Sequence, residues 1–350
     1  MKALDVLIDY SRKYGADPTL VNAGGGNTSA KEGDVMYIKC SGTALKDATA
    51  DSFARMDMNA LRQILTRHYP ETDREREAAF LADMMAARCP GEENKRPSVE
   101  TLLHAIFPQK YVLHLHPALV NGLTCSRGGE ALAREIFGDG VVWIPACRPG
   151  YILAMLMNDR FEAAGDEINV VLLENHGVFF AADTSEGLAA LLDDMMAKLG
   201  ARVGQKPDVV PDAPEPVPGT GVRLAALGGF ACWHFIGGRT AEEFASGREA
   251  AADMMTPFDP DQVVYCGAGA QFVEDAATIA SIDAKVAIVR GVGLYAFGKD
   301  EKAARNAMLL TADSMNIAVY TRSFGGASHL SEELVDFLVH WEAESYRQKV

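Results

Sequence analysis

Apolar and polar positions follow two rhythms along this chain. In "MKALDVLIDYSRKYGAD" at the start, Leu4, Leu7, Ile8 and Tyr10 recur near one face at helical spacing, which predicts an amphipathic helix. Short β-type runs come later. "DVMYIKCSG" (34–42) and "KYVLHLH" (110–116) predict strands, and "NVVLLENHGVFFAAD" (169–183) predicts two strands joined near Asn175 to Gly177. After them "TSEGLAALLDDMMAKLG" (184–200) predicts a helix, with Thr184 as its N-cap and Glu186 in the first turn, where an acid suits the helix dipole. Helical patterns also fit 51–69 and 73–88. The mixture predicts an α/β fold with a sheet flanked by helices.

One stretch breaks both rhythms. "VGQKPDVVPDAPEPVPGTGV" (203–222) carries Pro207, Pro211, Pro214, Pro216 and Pro218, and proline removes backbone donors and forbids helix interiors. We read it as an extended linker between a catalytic domain at 1–202 and a second α/β domain at 223–350. The second half reuses the grammar of the first. "KVAIVRGVGLYAFGKDEKAARNAMLLTADSM" (285–315) lies over the segment that begins at Asn169, with Val292 on His176, and "QVVYCGAGA" (262–270) resembles "DVMYIKCSG". The second domain therefore reads as a degenerate copy of the first, against the plainer view that any two α/β units look alike.

Composition narrows the function. At 350 residues the chain has room for two domains, and its 48% hydrophobic and 23% charged residues are those of a globular protein rather than a disordered one. A net charge of −15 argues against nucleic acid or an anionic membrane as partner, although a local pocket can still bind an anion through backbone N–H groups or a metal. The N-terminus is not expected to be a secretory signal. No run approaches the length that spans a bilayer. The six cysteines form no C-x-x-C pair, so reduced thiols and a cytoplasmic location are expected.

The candidate chemistry starts at "HLH". Along a strand side chains alternate faces, so His114 and His116 point the same way, a natural two-point grip on a transition metal. The alternative is a pair of partly buried structural histidines. A divalent site usually takes three protein ligands with an open position, and His176 in "LLENHGVFF" is the third candidate, followed by Gly177, which permits close backbone approach. In "RPSVETLLHAIF" (96–107), Pro97 and Ser98 open a helix and Glu100 lies in its first turn. Only "PQK" separates that helix from the histidine strand, so Glu100 is a candidate acid/base; the other reading is a capping box. "NAGGGNTSAKEG" (22–33) has the makeup of an anion nest, with three glycines before Asn27, Thr28 and Ser29, and "CSGTA" adds Ser41 and the Gly42 amide. Neither is a P-loop.

Taken in order, "GGGNTS", "KCSGTAL", "PSVET", "HLH" and "LLENHG" resemble the class II aldolase/adducin family of zinc-dependent sugar-phosphate aldolases, over about residues 1 to 200. The resemblance implies a three-layer α/β/α domain with Zn²⁺, or another divalent transition metal, on His114, His116 and His176. It further implies Glu100 as catalytic acid/base and a phosphate pocket from Asn27, Thr28, Ser41, Gly42 and Ser98. The expected reaction is reversible cleavage of a ketose 1-phosphate to dihydroxyacetone phosphate and an aldehyde, by a homo-oligomer. Family aldolases often carry two serines before the glutamate, whereas Val99 stands at the second position here. Epimerases of the family carry aspartate at the position of Glu100. Epimerisation or decarboxylation on the same metal scaffold, and a non-catalytic metal-bound regulatory protein, are the alternatives. The whole chain, with "GLYAFGKDEKAARNA" and "VHWEAE", looks like the aldolase part of proteins that fuse a rhamnulose-1-phosphate-type aldolase to a dehydrogenase, here expected to stand without that module.

Overall fold

The structure, a computed structural model, describes residues 2–164 and 168–341. Two compact units divide these residues: 2–117 with 133–198, and 118–132 with 199–341.

The first unit is built on a seven-stranded sheet. Its strands are β1 (Asn27–Glu32), β2 (Val35–Lys39), β3 (Phe53–Asp57), β4 (Tyr111–Leu115), β5 (Val142–Ile144), β6 (Val170–Leu173) and β7 (Gly177–Ala182), in the order β3-β2-β1-β4-β7-β6-β5. Every pairing is antiparallel except that of β5 with β6. On one face Met36, Ile38, Met56, Val112, Val171 and Phe179 form the core with apolar residues of the helices Met58–Leu65, Asp73–Ala86, Thr101–Ile106 and Tyr151–Ala164. The other face receives the helix Ala3–Gly15, whose Ser11 hydroxyl pairs with that of Thr28 at 2.7 Å. That helix is turned slightly from the expected stripe. Ala3, Leu7, Tyr10, Ser11 and Tyr14 are buried, while Leu4 and Ile8 are only partly covered.

Two expectations are corrected. The stretch 51–69 is not one helix: residues 53–57 pair with β2, because Phe53, Ala54 and Met56 are worth more buried in the sheet than wrapped on a helix. The helix begins at Met58, where the Asp57 carboxylate caps the amides of Asn59 and Ala60 at 2.8 and 3.3 Å. In the second half, "QVVYC" is helical (Pro260–Cys266) rather than extended. Asp259 caps the Gln262 amide at 3.0 Å, Pro260 fits the first turn, and Gly267 follows the end. The expected Thr184 cap is present, its hydroxyl accepting from the Gly187 amide at 3.0 Å.

The second unit carries a five-stranded sheet of β8 (Val210–Pro211), β9 (Cys232–Gly237), β10 (Gln271–Val273), β11 (Val286–Val289) and β12 (Gly293–Gly298), ordered β10-β11-β12-β9-β8. Four of its strands repeat β5-β6-β7-β4 in order, direction and register. Val170↔Phe180 and Leu173↔Gly177 in the first sheet correspond to Val286↔Ala296 and Val289↔Gly293 in the second, at one constant offset. β10 is parallel to β11 as β5 is to β6, and a helix follows each hairpin, Ser185–Gly200 and Glu301–Thr321. In this overlay Phe235 stands where His114 does, Gly237 where His116 does and Val292 where His176 does. Within the Pro-rich segment, Val210 and Pro211 pair with the edge of β9.

Phe179 ties the first core to the histidine strand: it is fully buried, opposite His114 in register, and packed on Phe107. Phe179→Ala is expected to cost about 3–5 kcal/mol, read as a lower urea midpoint; a loss under about 1 kcal/mol would contradict this packing role.

Candidate metal centre

β4 is buried along its whole length, so its sequence "YVLHL" needs apolar side chains on both faces. His114 is the exception, and the register explains how it is tolerated. It lies directly between Asn27 of β1 and Phe179 of β7. The Phe179 ring stacks on the imidazole, with centroids 4.0 Å apart and planes 16° from parallel. His114 Nδ1 lies 3.0 Å from the Val178 carbonyl, which can only accept, so this nitrogen carries the proton. Nε2 is therefore left with its lone pair directed into the pocket.

Just past the strand, His116 points the same way, its Nε2 2.9 Å from His114 Nε2. His176 arrives from the β6–β7 turn, where Asn175 takes a left-handed conformation (φ 55°) that asparagine tolerates. One ring nitrogen from each of His114, His116 and His176 lies within 4.8 Å of the others. Gly177 makes the convergence possible. A Cβ there would sit 2.5 Å from the Leu115 carbonyl oxygen and 2.7 Å from the His116 ring. Gly26, the last of the three consecutive glycines, has a similar duty: at φ 64° it packs against the His114 carbonyl, 2.8 Å from where a Cβ would stand.

Glu100 is the residue before the helix Thr101–Ile106, yet its carboxylate does not cap that helix. It turns toward the histidines, with Oε1 3.4 Å from His114 Nε2 and 3.4 Å from His176 Nε2. Oε2 accepts from the Asn27 amide, while Oε1 is buried without a hydrogen bond. Burial alone would raise this carboxyl group; the imidazoles of His114, His176 and His116, with the Asn27 amide, outweigh burial and hold it down to about 2. Burial keeps His114 neutral, well below the ordinary imidazole range. The result is a buried carboxylate, one oxygen of which has no hydrogen bond among the described residues, lying 3.4 Å from two of three converging imidazoles, a donor set suited to a divalent transition metal.

The remaining expected site residues divide. A bridge between Cys40 and Pro97 brings the "CSG" turn alongside the start of "PSVET". Across it, the Ser41 amide donates to the Arg96 carbonyl at 2.9 Å and the Ser98 amide to the Lys39 carbonyl at 3.0 Å. Ser41, Gly42 and Ser98 are thus gathered on one side, and the Ser98 hydroxyl accepts from the Asn27 amide at 3.2 Å. Asn27 faces Glu100, and its whole amide is already engaged by protein groups. Thr28 is not brought to the pocket. One step along β1 it points to the opposite face, buried against Ser11. His104, which is not among the expected site residues, joins the site through Ser29 of the expected nest: its Nδ1 lies 2.8 Å from the Ser29 hydroxyl and its Nε2 meets Asn27 Oδ1. The signal was the spacing of Glu100 and His104, one helical turn apart.

Burial lowers the His104 imidazole to about 3. An unfolded histidine titrates near 6.5, so as pH falls the unfolded chain takes up this proton first and stability declines between roughly pH 6.5 and 3. Glu100 acts in the same sense lower down, its contribution being lost as pH falls from the unfolded carboxyl range toward about 2. Urea midpoints of the metal-free chain are therefore expected to fall steadily below pH 6.5, and less so in His104→Gln. Equal slopes for the two would show that His104 is not held neutral.

The family profile described as the Class II Aldolase and Adducin N-terminal domain matches residues 5–195. The protein YuxG of Bacillus subtilis (strain 168), described as an uncharacterized oxidoreductase, is 33% identical over 195 residues. That stretch is 53% of this chain but 27% of YuxG, so the chain spans only about a quarter of that relative. Among solved structures, the N-terminal class II aldolase domain of a conserved protein from Thermoplasma acidophilum is similar at TM-score 0.50 and 28% identity, over 57% of this chain and 93% of that one. With more than half of its residues matched by the family profile, and with this α/β fold, the chain belongs to the class II aldolase and adducin family.

Proposed function

We propose that this chain is a metal-dependent aldolase that cleaves a ketose 1-phosphate, reversibly, to dihydroxyacetone phosphate and an aldehyde. The observation that carries this reading is the shared pocket of three imidazoles and one unpartnered carboxylate oxygen. His114, His116 and His176 would hold Zn²⁺ or another divalent transition metal. When bound, the ion supplies a Lewis acid that stabilises negative charge developing on the substrate's carbonyl oxygen.

Glu100 handles the proton. In the condensation direction its ionised carboxylate takes a proton from the carbon next to the carbonyl, and in cleavage it returns that proton to the same carbon. Oε1 suits this task because no hydrogen bond from the described residues holds it. Asn27 keeps Oε2 fixed, and its engaged amide favours this role over phosphate binding. The phosphate falls to Ser41, Gly42 and Ser98, where Gly42 at φ 84° leaves its backbone unshielded. Val99 offers no hydroxyl, so the phosphate would be held by fewer side-chain donors than in relatives with two serines.

Metal analysis combined with an assay of dihydroxyacetone phosphate release from a panel of ketose 1-phosphates tests the reading. About one divalent ion per chain is expected, with His114→Ala lowering metal content severalfold. Glu100→Gln should retain the metal but lose roughly 100- to 10,000-fold in turnover. Full activity in Glu100→Gln, or unchanged metal in His114→Ala, would refute the assignment, and product analysis by NMR separates cleavage from epimerisation and decarboxylation.

A further inference from the structure

Four side chains beneath the pocket form a continuous buried line: Ser29, His104, Asn27 and Glu100. All are less than a tenth exposed, so none can exchange its partner for solvent without cost. The chemistry of each group then fixes every hydrogen. The Glu100 carboxylate can only accept, so Asn27 must present its Nδ2 donor. Asn27 Oδ1 is thereby turned to His104 Nε2 and can only accept, so Nε2 carries the imidazole proton. A neutral ring has one proton, hence Nδ1 accepts from the Ser29 hydroxyl, 2.8 Å away. All three hydrogen bonds point toward the carboxylate, and bonds aligned in this way polarise one another.

We propose that His104 is a positioning residue for Glu100: through Asn27 it decides which carboxylate oxygen is held and which is left facing the three histidines. If the ring carried its proton on Nδ1, Nε2 would confront Asn27 with a lone pair. The amide would then be driven to flip its oxygen toward Glu100, and the carboxylate would lose its anchor and swing. Helix geometry supports the link, since Glu100 and His104 lie one turn apart and the Glu100 carbonyl accepts from the His104 amide at 3.2 Å. The His104 ring also packs edge-on against Phe179, the residue that stacks on His114, so its own place is fixed.

This inference rests on Glu100 being the proton-transfer group, and its test has one arm that does not need turnover. Long-range ¹H–¹⁵N spectra of the full chain labelled with ¹⁵N-histidine, with His104→Gln used for assignment, report the tautomer directly. A neutral His104 protonated on Nε2 is expected at neutral pH, shifting toward Nδ1–H in Asn27→Ala, where the acceptor is gone. A wild-type ring protonated on Nδ1, or on both nitrogens, overturns the proposal whether or not the chain cleaves any sugar phosphate. In the second arm, His104→Leu is expected to lower kcat about 10- to 100-fold with KM and bound metal little changed, while His104→Gln, which keeps a donor at that reach, restores most of the loss. A loss carried by KM or by metal content, or one equally deep in both variants, contradicts it. If His104→Leu fails to fold, the tautomer and the activity of His104→Gln decide. Should the tautomer be as expected and no ketose 1-phosphate be cleaved, the proposed reaction fails and the positioning line stands.

Discussion

A buried carboxylate set against converging imidazoles, with one oxygen free of hydrogen bonds among the described residues, is a costly thing to leave inside a protein. Glu100 is 8% exposed and His114 is fully enclosed, so solvent cannot relieve the charge. A cation can. Much of the local architecture follows from this requirement. The register of β1 and β4 puts Asn27 beside His114, the Val178 carbonyl fixes the His114 tautomer, and Gly177 gives up its side chain so that the rings can meet. The site is carried on strands and their ends rather than on long loops, which is how a fold holds several ligands within a few ångströms of each other.

Parts of this were legible in the sequence because they depend on local periodicity. The alternation of a strand is enough to place His114 and His116 on one side, and the short connection after "PSVETLLHAIF" brings its helix near them. The strand–turn–strand–helix reading of 169–200 matches β6, β7 and the following helix, down to the Thr184 cap. The residues that sequence reasoning misjudged depend on where a strand starts and on distant pairings. "GGGNTS" reads as a loop, in which any side chain can turn inward. β1 already begins at Asn27, and a strand must send Thr28 to the other face. His104 and Ser29 meet across 75 positions, a separation at which no local pattern operates. The stretch 51–69 failed for a related reason: pairing with β2 outweighed a helical pattern that was only locally consistent.

The second unit shows the same scaffold without the chemistry. Its four-stranded repeat keeps the pairing and the following helix, yet Phe235, Gly237 and Val292 stand where the three imidazoles would be. At those positions Phe235 and Val292 join Tyr295 and Phe297 in an apolar cluster. The comparison separates what the topology needs, which is apolar alternation and a glycine after the turn, from what catalysis would add. Function resides in the side chains grafted onto the sheet.

The proposed chemistry requires that the three imidazoles share one ion. Crystals grown with zinc and measured across its absorption edge would locate it directly. A single strong anomalous peak is expected about 2.0–2.1 Å from one nitrogen each of His114, His116 and His176, with Glu100 beside it. No peak at that point, or a peak bound elsewhere with the three rings apart, would contradict the central claim.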